Sequence, residues 1–108
     1  MKVDRIDHLV LTVKDINETI QFYSSVMGME KVEFGEGRIA LSFGQQKINL
    51  HQFGKEFEPK AQNVKSGSAD LCFIIDLPVE HALHDLESKG IKVIDGPVQR
   101  TGALGKIK

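Results

Sequence analysis

The sequence is poor in cysteine, in net charge and in long apolar runs, and each shortage excludes a class of protein. A single cysteine, Cys72, rules out a disulfide framework within the chain and favours a reducing cytoplasm. Fourteen basic and fifteen acidic side chains leave a formal net charge of -1, which gives no electrostatic footprint for nucleic acid or an anionic membrane. No run approaches the roughly 18 apolar residues of a membrane span, and the N-terminus lacks the apolar stretch of a secretion signal. We therefore expect a small-molecule partner and a cytoplasmic location.

What the sequence does contain is an internal repeat, offset by about 62 residues. The strand-like segment IDHLVLTV is repeated in pattern by ADLCFIID. Each segment is followed by a helix-like segment, which ends at Gly28 in the first copy and at Gly90 in the second. With 41% hydrophobic and 27% charged residues, the composition fits one globular domain over residues 1–108. The repeat therefore predicts two copies of one supersecondary unit within that domain.

The predicted fold class is α+β, with paired βαβββ modules that form a curved mixed sheet around a metal or substrate cup. The first module covers residues 1–53, a polar linker covers 54–68, and the second module covers 69–108. A counterpart of the strand KINLHQF would lie beyond Lys108, so the second module is expected to lack its last strand. We expect a truncated or incompletely represented chain, with a short variant that borrows a strand from a partner as the alternative. The first helix is predicted to follow an N-cap at Asp15, the second helix is predicted to begin at Pro78, and a hairpin turn is predicted at 35–37. The predicted strands are Val3–Val13, Glu30–Phe34, Arg38–Phe43, Lys47–Phe53, Ala69–Asp76 and Ile91–Ile94.

The alternation of apolar and polar residues along the strands predicts which face of the sheet carries the polar side chains. In the first strand Leu9, Leu11 and Val13 share the face that covers the helix, which leaves His8 on the opposite face. The same reasoning places Asn49 and His51 of the KINLHQF strand, and Asp70 of the second module, on a face without a helix. Imidazole and carboxylate ligands together suit a divalent first-row ion such as Zn, Mn, Fe, Ni or Co. We predict His8 and Asp70 as metal ligands. His51 is a candidate metal ligand and catalytic base, with a substrate contact or a solvated strand residue as the alternatives.

Other polar residues have competing interpretations. Arg38 and Arg100 are candidates for holding an anionic substrate, although surface arginines are common. His81 and His84 lie one turn apart on the polar face of the second helix and are expected to be solvated. Cys72 lies in an apolar strand pattern without an adjoining basic residue, which predicts core packing and not a nucleophile.

The segments IDHLVLTV, DINETIQFYSSVMGMEKV, KINLH, GSADLCFI and GPVQRTGALG together carry a family resemblance. They are similar to the vicinal oxygen chelate superfamily, which contains glyoxalase I, bleomycin-resistance proteins and extradiol dioxygenases. Within it, the chain most resembles the glyoxalase-domain or "virulence protein" branch. The resemblance covers essentially the whole chain, and the helix motif D-x-x-x-T-I-x-F-Y-x-x-x-M-G-M is specific for the fold more than for the reaction.

The resemblance implies a metal cup and, in many members, a dimer that builds the cup from two chains. His8 matches the usual first ligand, and Asp70 stands where His is common in the second module. Glyoxalase I has a Glu at the position of Asn49, which is here an amide and a candidate substrate contact, and the usual final Glu ligand is absent. The implied activity is that of a metal-dependent lyase or isomerase on a small oxygen-rich substrate. The alternatives are a bleomycin-resistance-type binding module without turnover and an extradiol-type dioxygenase.

Overall fold

The computed structural model describes residues 1–107, and the chain divides into two compact units, Met1–Asp70 and the part from Leu71 onward. The first unit contains a four-stranded mixed sheet with strand order β1-β4-β3-β2. Strands β2, β3 and β4 form an antiparallel meander, and β1 lies parallel to β4. Its elements are β1 (His8–Val13), α1 (Ile16–Gln21), a π-helical turn (Phe22–Val26), β2 (Glu30–Phe34), β3 (Arg38–Phe43) and β4 (Gln46–Gln52). This α+β module with a curved mixed sheet confirms the predicted fold class.

The strand boundaries follow the sequence pattern closely. The predicted bounds of β2 and β3 are those observed, whereas β1 begins at His8 and not at Val3. The β2–β3 turn requires positive φ at Gly35 (56°) and Gly37 (74°), a conformation that costs glycine little. This turn fixes the register of β2 against β3, and the register decides which of their side chains lie on the same face of the sheet.

The core lies between the sheet and the first helical segment. Leu41, Ile48 and Leu50 are almost completely buried, at 0%, 1% and 2% exposure. They belong to the sheet face that α1 covers, and the helix start is tied to β4 because Gln52 Oε1 accepts a hydrogen bond from Ile16 N at 3.4 Å. The apolar stripe of the first helical segment is half-buried, as expected for a helix that packs with one side only, and consists of Ile16, Ile20, Tyr23 and Met27.

The start of α1 is fixed by a side-chain cap. Asp15 Oδ1 accepts hydrogen bonds from Asn17 N at 3.0 Å and from Glu18 N at 3.1 Å, which confirms Asp15 as the N-cap. The helix continues as a π-helical turn and stops at Gly28, whose φ is +77°. The cap and the glycine together place the helical stripe over the sheet.

The other face of the sheet carries no helix within the first unit, and we call it the cup face. The strand register places on it one residue in two from each strand. Its residues are His8, Val10 and Thr12 of β1, Lys47, Asn49 and His51 of β4, Arg38, Ala40 and Ser42 of β3, and Glu30, Val32 and Phe34 of β2.

The second unit contains α2 (Val79–Ser88), which begins one residue after the predicted start at Pro78, and a short hairpin of β5 (Arg100–Gly102) and β6 (Gly105–Ile107). The strands predicted at Ala69–Asp76 and Ile91–Ile94 are not observed, because neither segment joins a ladder with another part of residues 1–107. As a consequence Cys72 is exposed, and the prediction that it packs in a core was wrong.

The helices of residues 1–107 are too short and too polar for any of them to pass through a lipid bilayer.

Candidate functional site

Two polar atoms on the cup face are buried and have no hydrogen-bond partner among residues 1–107. They are Asn49 Oδ1 and His51 Nδ1, which lie two residues apart on β4 and point to the same face. A buried polar group without a partner costs about 1–3 kcal/mol. An oxygen acceptor and an imidazole in this state are suited to a ligand that supplies the missing partners.

The ring of Phe57 covers the His51 end of the cup face. It makes an edge contact with the imidazole of His51, with centroids 5.8 Å apart and planes at 65°. The guanidinium carbon of Arg38 lies 4.9 Å from the centroid of the same ring. One aromatic side chain therefore holds an imidazole and a guanidinium beside each other.

His8 lies at the start of β1, where its ring is 43% exposed. Its Nδ1 is 2.8 Å from Asp7 Oδ2, and this hydrogen bond is the main reason that the pKa of Asp7 lies below its ordinary value. The positive charges of Lys47 and Arg5 act in the same direction. A carboxylate on one ring nitrogen orients the imidazole and leaves Nε2 to face a ligand, as in many metal-binding histidines.

The structure does not bring the three predicted metal ligands together. Residues 1–107 contain no group of three His, Cys, Asp or Glu side chains placed to hold a metal ion. In the register His8 lies beside Lys47, and His51 is four residues further along β4, about 13 Å away at the usual rise of a strand. Asp70 is exposed at the end of the first unit. The ligand set therefore stays a prediction, as does the catalytic role of His51.

The predicted substrate residues are divided between the two units. Arg38 and Asn49 share the cup face, whereas Arg100 lies in the second unit and pairs with Asp95 at 3.1 Å. His81 and His84 are exposed on α2, as the sequence indicated. Within the first unit, the cup face therefore gathers Arg38, Asn49 and His51.

Sequence reasoning missed the aromatic side chains of the site. Phe57 lies in the polar stretch that was predicted as a linker, where a single aromatic residue has no periodicity to indicate its role. Phe34 was predicted only as a strand residue, and the ammonium of Lys47 lies 4.2 Å from the centroid of its ring. Only alternation along β2 and β4, which places both on one face, would have indicated this pair.

Comparison with known proteins places the chain among proteins of one family. The sequence profile of the Glyoxalase/Bleomycin resistance protein/Dioxygenase superfamily matches residues 5–107. The "Virulence protein STM3117" of Salmonella typhimurium is 55% identical over 107 residues, which are 99% of this chain and 74% of that protein. The "Glyoxalase domain-containing protein RDO1" of Mycosarcoma maydis is 54% identical, over 99% of this chain and 60% of that protein.

A solved structure agrees with these sequence matches. An integron cassette protein from the mobile metagenome of V. cholerae superimposes with a TM-score of 0.95 and 60% identity, over 98% of this chain and 83% of that one. The chain thus spans about three fifths to four fifths of the length of these proteins, with nearly all of its own residues matched.

Proposed function

We propose that this chain, which belongs to the Glyoxalase/Bleomycin resistance protein/Dioxygenase superfamily, is a divalent-metal-binding domain that acts on a small oxygen-rich molecule as a lyase or isomerase. The observation that carries the proposal is the pair of buried, unpartnered atoms Asn49 Oδ1 and His51 Nδ1 on the cup face. A ligand with neighbouring oxygen atoms offers both an acceptor and a donor to such a pair. Small-molecule binding is also the common property of this superfamily.

Members of the superfamily commonly use divalent metal ions. The donor chemistry of the first unit fits such an ion best at His8, whose ring is held by Asp7 in the orientation that a ligand needs. We assign His8 as the principal ligand from this unit and Asp70 as a carboxylate ligand. A bound divalent ion supplies Lewis-acid polarisation of a substrate oxygen.

The other cup-face residues have roles of their own. Asn49 hydrogen-bonds the substrate through its amide, which cannot change its charge near neutral pH. His51 moves a proton at Nδ1, since an imidazole nitrogen both accepts and donates protons. Phe57 excludes water from His51 by covering its ring.

Removal of His8 is expected to abolish metal binding while the fold is retained. We expect His8→Ala to bind less than about a tenth of the Mn²⁺ or Zn²⁺ held by the parent protein, because affinity commonly falls by 10–100-fold even when only a supporting residue of a metal ligand is changed. Metal content after reconstitution and desalting, measured by elemental analysis, gives the result. His8 is at the edge of the sheet, so the circular dichroism spectrum should not change.

His84→Ala is the matched control, since it removes an exposed imidazole from α2. It should retain full metal occupancy. Asp7→Asn, which weakens the hold on the His8 ring, should fall between the two. Full occupancy in His8→Ala would refute the assignment of His8.

Asn49 favours one second candidate function, a binding module of the bleomycin-resistance type. A cup whose central polar residue is an amide can hold a ligand without promoting proton transfer. Ligand recovered chemically unchanged after prolonged incubation with the metal-loaded protein would favour this reading.

We also expect the chain to form a homodimer. β1 is an edge strand, and along its outer edge the described backbone contact is Gly67 N donating to Thr12 O at 3.3 Å. An exposed edge readily pairs with another chain, and closed two-fold dimers are the commonest oligomers. Light scattering at micromolar concentration should give twice the mass of one chain, and a monomer at every concentration would contradict this expectation.

A further inference from the structure

We propose that the cup face takes a ligand with an anionic oxygen group, a carboxylate or a phosphate, and that Arg38 anchors this group. The inference rests on the proposed ligand-binding function and adds the substrate class and a specificity-determining residue. It starts from the position of Arg38, which is the first residue of β3. One step beyond the Ile39–Leu50 pair, the register brings Arg38 opposite His51 on the cup face.

Among residues 1–107, the guanidinium of Arg38 has no acidic partner. It is half-buried, and no carboxylate among residues 1–107 forms an ion pair with it. Within the described part of the chain, this cation contacts the ring of Phe57, whose centroid lies 4.9 Å from the guanidinium carbon. A partly buried cation that lacks an anion is stabilised when a ligand supplies one.

The contact with Phe57 also prepares Arg38 for binding. A cation stacked on a ring loses part of its rotamer freedom before any ligand arrives, so less entropy is lost on binding. The guanidinium N–H groups of Arg38 donate no hydrogen bond to any of residues 1–107, so they are available to a ligand. Two of those donors match the two oxygens of a carboxylate or phosphate.

The remaining charges of the cup face agree with an anionic ligand. Lys47 adds a second cation, held on the ring of Phe34 at 4.2 Å. Glu30, on the edge strand β2, is the one acidic strand residue of this face. The register places Phe34 opposite Arg38, so the ammonium of Lys47 lies at the Arg38 end of the cup face and adds to the positive charge there.

The test is an NMR titration of chelator-treated, isotope-labelled protein with lactate, with inorganic phosphate and with lactamide, the neutral analogue of lactate. We expect lactate or phosphate to shift the signals of Asn49, His51 and the Arg38 side chain, and lactamide to bind at least 10-fold more weakly. The stronger of the two anions distinguishes a carboxylate ligand from a phosphate ligand. Because the metal is removed, the result does not depend on the assignment of His8.

Three variants test whether Arg38 binds the anion directly or whether any positive charge on the sheet would attract it. Arg38→Met keeps an unbranched stem beside Phe57 but removes the charge, and it should weaken anion binding by about 10- to 100-fold, the usual size for charge-assisted hydrogen bonds. Arg38→Lys keeps the charge without the planar fork and should weaken it less. Lys31→Met removes the same charge from the opposite face of the same sheet, where Lys31 is exposed, and should change anion binding by less than about 3-fold.

Each contrary outcome has a definite meaning. Equal binding of lactate and lactamide, or equal losses in Arg38→Met and Lys31→Met, would overturn the anchoring role of Arg38 and leave the proposed function intact. If none of the three probes shifts the cup-face signals of the chelator-treated protein, the inference fails, whereas the proposed function is decided separately by the metal content of His8→Ala and its control. Unchanged spectra of the unliganded variants show that they are folded, and Arg38→Lys provides the measurement if Arg38→Met is not.

Discussion

The metal-loaded protein is expected to form no measurable S-lactoylglutathione from the hemithioacetal of methylglyoxal and glutathione. This isomerisation requires a group that removes and returns a proton, and glyoxalase I has a Glu where this chain has Asn49. An amide does not ionise near neutral pH, and a positioned acid–base group typically contributes 10²–10⁴-fold to a rate. His51, the nearest alternative, is two residues further along β4, about 6.6 Å away, and is covered by Phe57.

The assay measures S-lactoylglutathione directly, with Zn²⁺, Ni²⁺, Co²⁺ and Mn²⁺ supplied in turn and an authentic glyoxalase I as positive control. Asn49→Glu restores an ionisable group and should raise any residual rate, whereas Asn49→Gln should not. A turnover number of about 1–1,000 per second for the parent protein, the ordinary range for enzymes, would show that the argument from Asn49 is wrong.

Truncation of the central core residue should destabilise the first unit by about 2–5 kcal/mol, the usual cost of Leu→Ala in a core. Leu41 is 0% exposed and lies on β3, which has strands on both sides. Leu41→Ala therefore leaves a cavity that the flanking strands cannot readily close. Since a domain is commonly stable by only 5–15 kcal/mol, the variant should unfold at a much lower urea concentration.

Val32→Ala is the matched control. Val32 lies on the adjacent strand β2 but is 38% exposed and belongs to the cup face. Its truncation should cost less than about 1 kcal/mol, as is usual for sites outside a core. Urea unfolding followed by circular dichroism compares the two variants. Equal losses would mean that the helix-covered face is not the main core of the unit.

The cup face illustrates how far sequence patterns reach into a site. Alternation along β4 correctly placed Asn49 and His51 on the face opposite Ile48 and Leu50, because the strand period of two is a property of the backbone. The same pattern carried no information about the register between neighbouring strands, and therefore none about the distance between residues of different strands. The parallel register of β1 and β4, which places His8 beside Lys47, is a tertiary fact that separates His8 from His51.

The sequence by itself determined the first βαβββ module, the Asp15 cap, the turns at Gly35 and Gly37 and the family, since these depend on local propensity and periodicity. Only the tertiary structure showed that Phe57 folds back over Arg38 and His51, because a single ring in a polar loop has no pattern. The tertiary structure also showed that residues 69–76 form no strand, although their apolar pattern predicts one. A strand requires a neighbour for its backbone hydrogen bonds, and that requirement cannot be read from the segment's own residues.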